Sequence, residues 1–329
     1  MVLQGQSATD GYHFDNGDGW TLRLYRAAGS QVRGKKPVLI VPGYGMNSYI
    51  FTFHPRGLSL TEYLAQRGLE VWRVDLRAQG EASYHGDGER ENFRLDDLAV
   101  TDLGAAIDAV LRQTQTGCTK VDVIGASLGG TLIFAHAALA GTDKLGGIVA
   151  IGSPVRWVKV NPVIELLSMS PALIGEMRMR GTRKLARLAL PLLTKFAPDL
   201  LRIYLNPTLT DVSRLSEMLQ TVENPNRYLN RQIAVWIHRR DLTLRHHNVT
   251  AALQHVRNPV LTISATHDGI VPPATARYVH DTVGSPDKTL IEVGSATVML
   301  AHADLFISDI ALERVYQPLA DWLLAREPQ

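Results

Sequence analysis

The chain is 329 residues long, 45% hydrophobic and 20% charged, with 34 Lys and Arg against 32 Asp and Glu for a net charge of +2. That length can bury a sizeable core, as one large α/β domain or as a core plus a lid, and the absence of low complexity and long charge blocks excludes a disordered chain. Cys118 is the only cysteine, which rules out an intramolecular disulfide, and residues 1–11 lack the basic and apolar regions of a signal peptide; both observations predict a cytoplasmic protein unless a leader has been trimmed away.

The first elements read as β-structure. Residues 20–26 alternate as an edge strand, and residues 12–14 pair with them across the turn Asn16-Gly17-Asp18-Gly19. Residues 37–41 form a continuous apolar run, as expected of a strand buried on both faces. A helix over residues 58–67 stops at Gly68, and residues 71–74 form the next strand. Leu103, Ile107, Val110 and Leu111 recur at helical spacing. Further strands follow at residues 121–124, 147–151, 259–264 and 290–293. Strands alternating with helices predict a mostly parallel sheet covered on both faces. Residues 123–142 carry no Asp, Glu, Lys or Arg, yet they hold a glycine-rich turn and read as a buried strand plus helix rather than a membrane span.

That turn is Gly125-Ala126-Ser127-Leu128-Gly129-Gly130, placed between the strand and the helix. A G-x-S-x-G sequence in this setting is a nucleophile elbow, which exposes a serine in strained backbone geometry at the top of a sheet. An acid and a histidine should follow in that order, each just past a strand. Asp268 lies in the loop after residues 259–264, and His302 in the loop after residues 290–293. The rival His267 is next to the acid and too close in sequence to reach across, whereas His280 falls on a predicted helix. Serine needs a base to take its proton, so Ser127, His302 and Asp268 have the makings of a nucleophile, a base and an orienting acid.

With these motifs in order, the chain resembles the α/β-hydrolase superfamily over nearly all its length except residues 152–259. The resemblance implies the α/β-hydrolase fold: a core of residues 1–153 and 257–329, with a helical lid of residues 154–256 inserted between the sixth and seventh core strands. It implies an oxyanion hole from the N–H of Leu128 and one N–H of the loop Pro42-Gly43-Tyr44-Gly45-Met46. Tyr44 is favoured there and Met46 is the alternative, with Gly43, Met46 and Val271 lining the substrate site. Asp75-Leu76-Arg77-Ala78-Gln79-Gly80 resembles the family's structural D-x-R-G-x-G turn, with Ala78 in place of a glycine.

Asp96, Asp97 and Asp102 read as cap and solvent-face residues of an amphipathic helix, and no histidine spacing suits a metal, so neither metal nor cofactor is expected. Nothing resembles a nucleic-acid motif. The reading that follows is hydrolysis of a carboxylic ester of a small, hydrophobic substrate through an acyl-enzyme. Residues 37–42, 58–64 and 68–72 also resemble polyhydroxyalkanoate synthases and acid lipases, which keeps acyl transfer, polyester depolymerisation, lactonase and thioesterase chemistry open. A ligand-binding receptor that keeps the fold is the reading from another class.

The proposed lid holds 15 Lys and Arg against 7 Asp and Glu, a net of +8. This is either a solvated outer face or a surface for anionic lipid, for which residues 177–184 form the densest basic cluster. Leu166, Leu167, Met169, Leu173, Ile174 and Met177 supply apolar surface, either for a hydrophobic substrate group or for packing the lid on the core.

Overall fold

The computed structural model describes residues 10–28, 32, 36–172, 181–197 and 201–326. Its sheet strands are β1 (Asp10–Asp15), β2 (Trp20–Ala28), β3 (Val38–Val41), β4 (Glu70–Asp75), β5 (Ser83–Tyr84), β6 (Val121–Ala126) and β7 (Leu145–Ile151). After the small hairpin β8 (Thr243–Leu244) and β9 (His247–Asn248) come β10 (Val260–Ala265) and β11 (Lys288–Val293). The order across the main sheet is β1-β2-β4-β3-β6-β7-β10-β11, with β5 beside β2. β1, β2 and β4 pair antiparallel, and every pairing from β4 to β11 is parallel.

The apolar strand runs alternate between two cores. Leu39, Val41, Val121, Val123, Ile148 and Ala150 face one, and Val38, Ile40, Ile124, Ala126, Val149 and Ile151 face the other. A central parallel strand therefore reads as a near-continuous apolar run. Helices α1 (Leu60–Gln66), α2 (Leu103–Gln113) and α3 (Leu128–Leu139) belong to the first half. α1 is two residues shorter than the predicted helix at its start because Ser59 and Glu62 form a reciprocal capping box. Among the described residues no helix is long and apolar enough to cross a membrane.

Between β7 and β10 the chain runs through α4 (Pro162–Ser168), α5 (Thr182–Phe196) and α6 (Arg227–Arg239), with shorter turns between them. This stretch is of two kinds. Trp157, Trp236, Leu242, Leu244, Val249 and Leu253 are buried with the sheet's own core residues. Leu166, Leu167, Met169, Leu185, Leu188 and Phe196 are exposed, so the first three do not pack the insertion onto the core. Leu173, Ile174 and Met177, like Arg178 and Arg180 of the basic cluster at 177–184, lie outside the described residues.

α7 (Pro273–Thr282) and α8 (Gln317–Leu324) complete the helical layers. One carboxylate departs from its predicted role. Asp102 is fully buried rather than on a solvent face. It accepts from the Arg77 guanidinium at 2.7 Å, the Arg77 amide at 3.0 Å and the Asn16 side chain at 2.6 Å. The D-x-R turn supplies that arginine, which tethers the turn to the stretch ahead of α2.

Candidate active site

β6 is buried along its whole length and delivers Ser127 at its C-terminal end. There the backbone breaks to φ 53° and ψ −120°, and α3 begins at the next residue. A serine with positive φ is costly, and the surroundings hold it in place. The Ser127 amide donates to Ile151 O on β7 at 2.8 Å. A Cβ on Gly125 would strike the backbone of Gly130, and one on Gly129 would strike the Val41 carbonyl. Gly130 is equally constrained, since its Cβ would meet the Ser153 side chain.

Asp268 and His302 are both buried. The Asp268 carboxylate divides its work: Oδ1 accepts the amides of Ile270 and Val271 at 2.8 Å each, and Oδ2 lies 2.6 Å from His302 Nδ1. One oxygen is pinned by the loop while the other orients the imidazole. Gly152, directly after β7, sits against that ring: a Cβ there would lie 3.1 Å from His302 Cε1. The end of β7 thus separates the two halves of the site, with Ile151 holding the Ser127 amide and Gly152 facing the histidine. His267 is exposed and His280 lies on α7.

The loop after β3 closes over Ser127. A Cβ on Gly43 would stand 3.0 Å from Ser127 Cβ and from Ala126 O, and 3.4 Å from Met46 Sδ. Neither the Tyr44 nor the Leu128 amide donates to a backbone carbonyl among the described residues. Leu128 opens α3, where the helix dipole adds partial positive charge. The Tyr44 hydroxyl is bound to Asn230 Oδ1 on α6, which ties this loop to the insertion. Beside it lies a cavity of about 40 Å³ whose lining includes Gly43, Tyr44, Met46, Leu128, Leu132 and Leu229. Val271 is not among its lining residues. It is buried in the core, and its amide donates to Asp268 Oδ1.

A larger cleft of about 510 Å³ opens at the opposite end of the strands, lined by Lys36, Lys120, Gly146, Arg257 and Arg326. Ligands of open parallel sheets bind at the carboxyl ends of the strands, so position outweighs size and the small cavity next to Gly43 and Leu128 is the candidate site. Among the described residues no group of three or more His, Cys, Asp or Glu side chains could hold a metal ion.

Residues 33–296 match the family described as serine aminopeptidase, S33. The chain belongs to this α/β-hydrolase family. Solved structures similar to this S33 family member include a thermophilic esterase from Thermogutta terrifontis, 18% identical, at a TM-score of 0.59 over 94% of this chain and 95% of that one. A monoacylglycerol lipase from Paleococcus ferrophilus is 21% identical, at a TM-score of 0.58 over 92% and 99%. A bromoperoxidase from Bacillus anthracis is 17% identical, at a TM-score of 0.62 over 96% and 100%. At these identities the likeness is one of fold. No curated protein matches the chain.

Two parts of this S33-family site escaped the sequence reading. Gly152 went unmarked, because nothing in a sequence says which ring a glycine underlies. Asp304, two residues past His302, is fully buried, and burial pushes its carboxyl up to about 6. Its spacing from the histidine was the available signal.

Proposed function

We propose that this protein is a serine hydrolase that cleaves carboxylic esters through an acyl-enzyme. The observation that carries the reading is the 2.6 Å contact of Asp268 Oδ2 with His302 Nδ1, at the same end of the parallel strands as a serine of positive φ. Asp268 holds the imidazole with Nε2 unprotonated, and Nε2 takes the Ser127 proton as Oγ attacks the ester carbonyl. The amides of Leu128 and Tyr44 receive the negative charge that develops on the carbonyl oxygen. The imidazolium then returns its proton to the departing alcohol. Water repeats the sequence in reverse roles to release the acid.

The apolar cavity beside Gly43 and Leu128 suits a short acyl group. Family membership also brings peptide-bond cleavage into view, and an aminopeptidase needs a free carboxylate for the substrate ammonium. Glu223 is the one carboxylate lining this cavity. It already accepts from Asn47 Nδ2 at 2.6 Å and the Gly80 amide at 3.0 Å, which favours the ester.

In this reading residues 1–153 and 257–329 are the catalytic core and residues 154–256 the lid. Exposed Leu185, Leu188 and Phe196 share α5 with exposed Arg183, Lys184 and Arg187. Such a helix suits weak contact with an anionic lipid surface. Co-sedimentation with phosphatidylserine vesicles, weakened by salt, is the expected result.

The deciding experiment is hydrolysis of p-nitrophenyl esters from acetate to palmitate, with p-nitroanilides of amino acids alongside. Turnover of short esters and a loss of about 10⁴–10⁶ in kcat in Ser127→Ala are expected. An active S127A variant would rule Ser127 out as the nucleophile. Anilide turnover without ester turnover would move the protein to the peptidase reading.

A further inference from the structure

Residues 203–210 belong to the insertion, yet they bind both loops that carry the candidate acid and base. Ile203 O accepts the Gly269 amide at 3.1 Å, next to Asp268, and Tyr204 O accepts the Ala303 amide at 2.7 Å, next to His302. The Tyr204 ring lies 6.2 Å from the His302 ring, centroid to centroid. Asn206 Nδ2 donates to Met299 O at 2.8 Å, and the Asp309 amide donates to Leu209 O at 2.9 Å.

The centre of this junction is Asp304. Its carboxylate accepts the Asn206 amide at 3.1 Å on each oxygen and the Thr210 hydroxyl at 2.8 Å, both from the insertion. It also accepts the Ala301 amide of its own loop at 2.8 Å. Burying a carboxylate without a cation partner is expensive, and neutral donors reduce that cost only in part. Aliphatic packing would hold two loops together at lower cost, so an unpaired acid here calls for a positional role.

We propose that Asp304 is a positioning residue: by clamping the His302 loop onto residues 206–210 of the insertion, it fixes the imidazole in register with Asp268 and Ser127. This rests on His302 being the base, as proposed above. The insertion is then part of the framework of the base as well as a cover.

The test measures inactivation by diisopropyl fluorophosphate, in which Ser127 Oγ bonds to phosphorus, fluoride leaves, and the hydroxyl proton passes to the base. It reports nucleophile activation whatever the natural substrate. Asp304→Asn keeps the size but turns an N–H toward one of three donors. Thr210→Val removes a single donor from the insertion side and serves if D304N fails to fold.

Displacing a base by a fraction of an ångström is expected to lower the limiting inactivation rate about tenfold in D304N and about threefold in T210V, with the inhibitor's KI unchanged. A merely structural role would lower Tm and leave that rate unaltered in the folded protein, which would overturn the proposal. If the wild type is labelled at Ser127 and T210V reacts at the same rate, this inference falls alone. If the wild type is not labelled at Ser127, the serine-hydrolase reading falls and takes this one with it.

Discussion

Gly152 lies against the imidazole of His302: a Cβ built on it would stand 3.1 Å from Cε1 and 3.3 Å from Nδ1. Its φ of 56° adds a second reason for glycine, since an L side chain is strained there. Gly152→Ala should therefore push the ring off Asp268. A fall in kcat of about 10- to 100-fold is expected, with KM little changed because the acyl cavity is elsewhere. Steady-state kinetics on p-nitrophenyl acetate checks this, and a change confined to KM would contradict it.

Asp304 makes a prediction about stability and pH. Burial raises its folded pKa to about 6, with the nearby Asp268 charge adding to the rise. The unfolded value is the ordinary one near 4. The folded state therefore holds this proton more tightly, so the ionised group destabilises the fold above pH 6 and that penalty is relieved as pH falls toward 4. Tyr204 faces the same junction but is itself pushed up to about 12 and does not titrate in this window. Wild-type Tm minus that of D304N should become more positive between pH 7 and pH 5. A constant difference by calorimetry would show that Asp304 does not titrate there.

Removing Asp102 should leave the Arg77 guanidinium buried with only Asp18 at 2.8 Å as a charged partner. Breaking a buried ion pair on one side typically costs about 3–5 kcal/mol. Urea unfolding of Asp102→Ala should show a midpoint lowered accordingly at unchanged m. A shift equivalent to less than about 1 kcal/mol would place this pair among weak surface bridges.

Leu229 lines the small cavity beside Gly43 and Leu128 from α6, the proposed acyl site. Leu229→Ala should lengthen the cavity and move the preferred ester from acetate or butyrate toward longer chains, by about tenfold in relative kcat/KM. An unchanged chain-length profile would mean that the acyl group does not enter this cavity.

Much of the framework was legible because the central strands read as near-continuous apolar runs, which a doubly covered parallel sheet requires. Ser127 was legible for the same kind of reason: Gly125 and Gly129 can be read from sequence as close approaches, and each meets backbone. Asp102 was not, because helical periodicity treats a carboxylate as solvent-facing, and the guanidinium that buries it comes from 25 residues away. The hydrogen bond from Val271 to Asp268 was not legible for a related reason, since it passes through an amide that every residue has. Ala78 sits between these cases. Its φ of 60° explains why a glycine is usual at that place in the turn.

The junction at residues 203–210 limits how this enzyme could be re-engineered. Exchanging the whole of residues 154–256 for a relative's cap would excise the struts beneath the histidine and strip Leu242, Leu244, Val249 and Leu253 from the core. A graft that respects the architecture would replace only α4 and α5, entering after Val158 and returning before Leu201. The exposed leucines lie within those cut points, so the proposed roles of the lid in access and adhesion could be altered there while the loops of Asp268 and His302 stay on their native foundations.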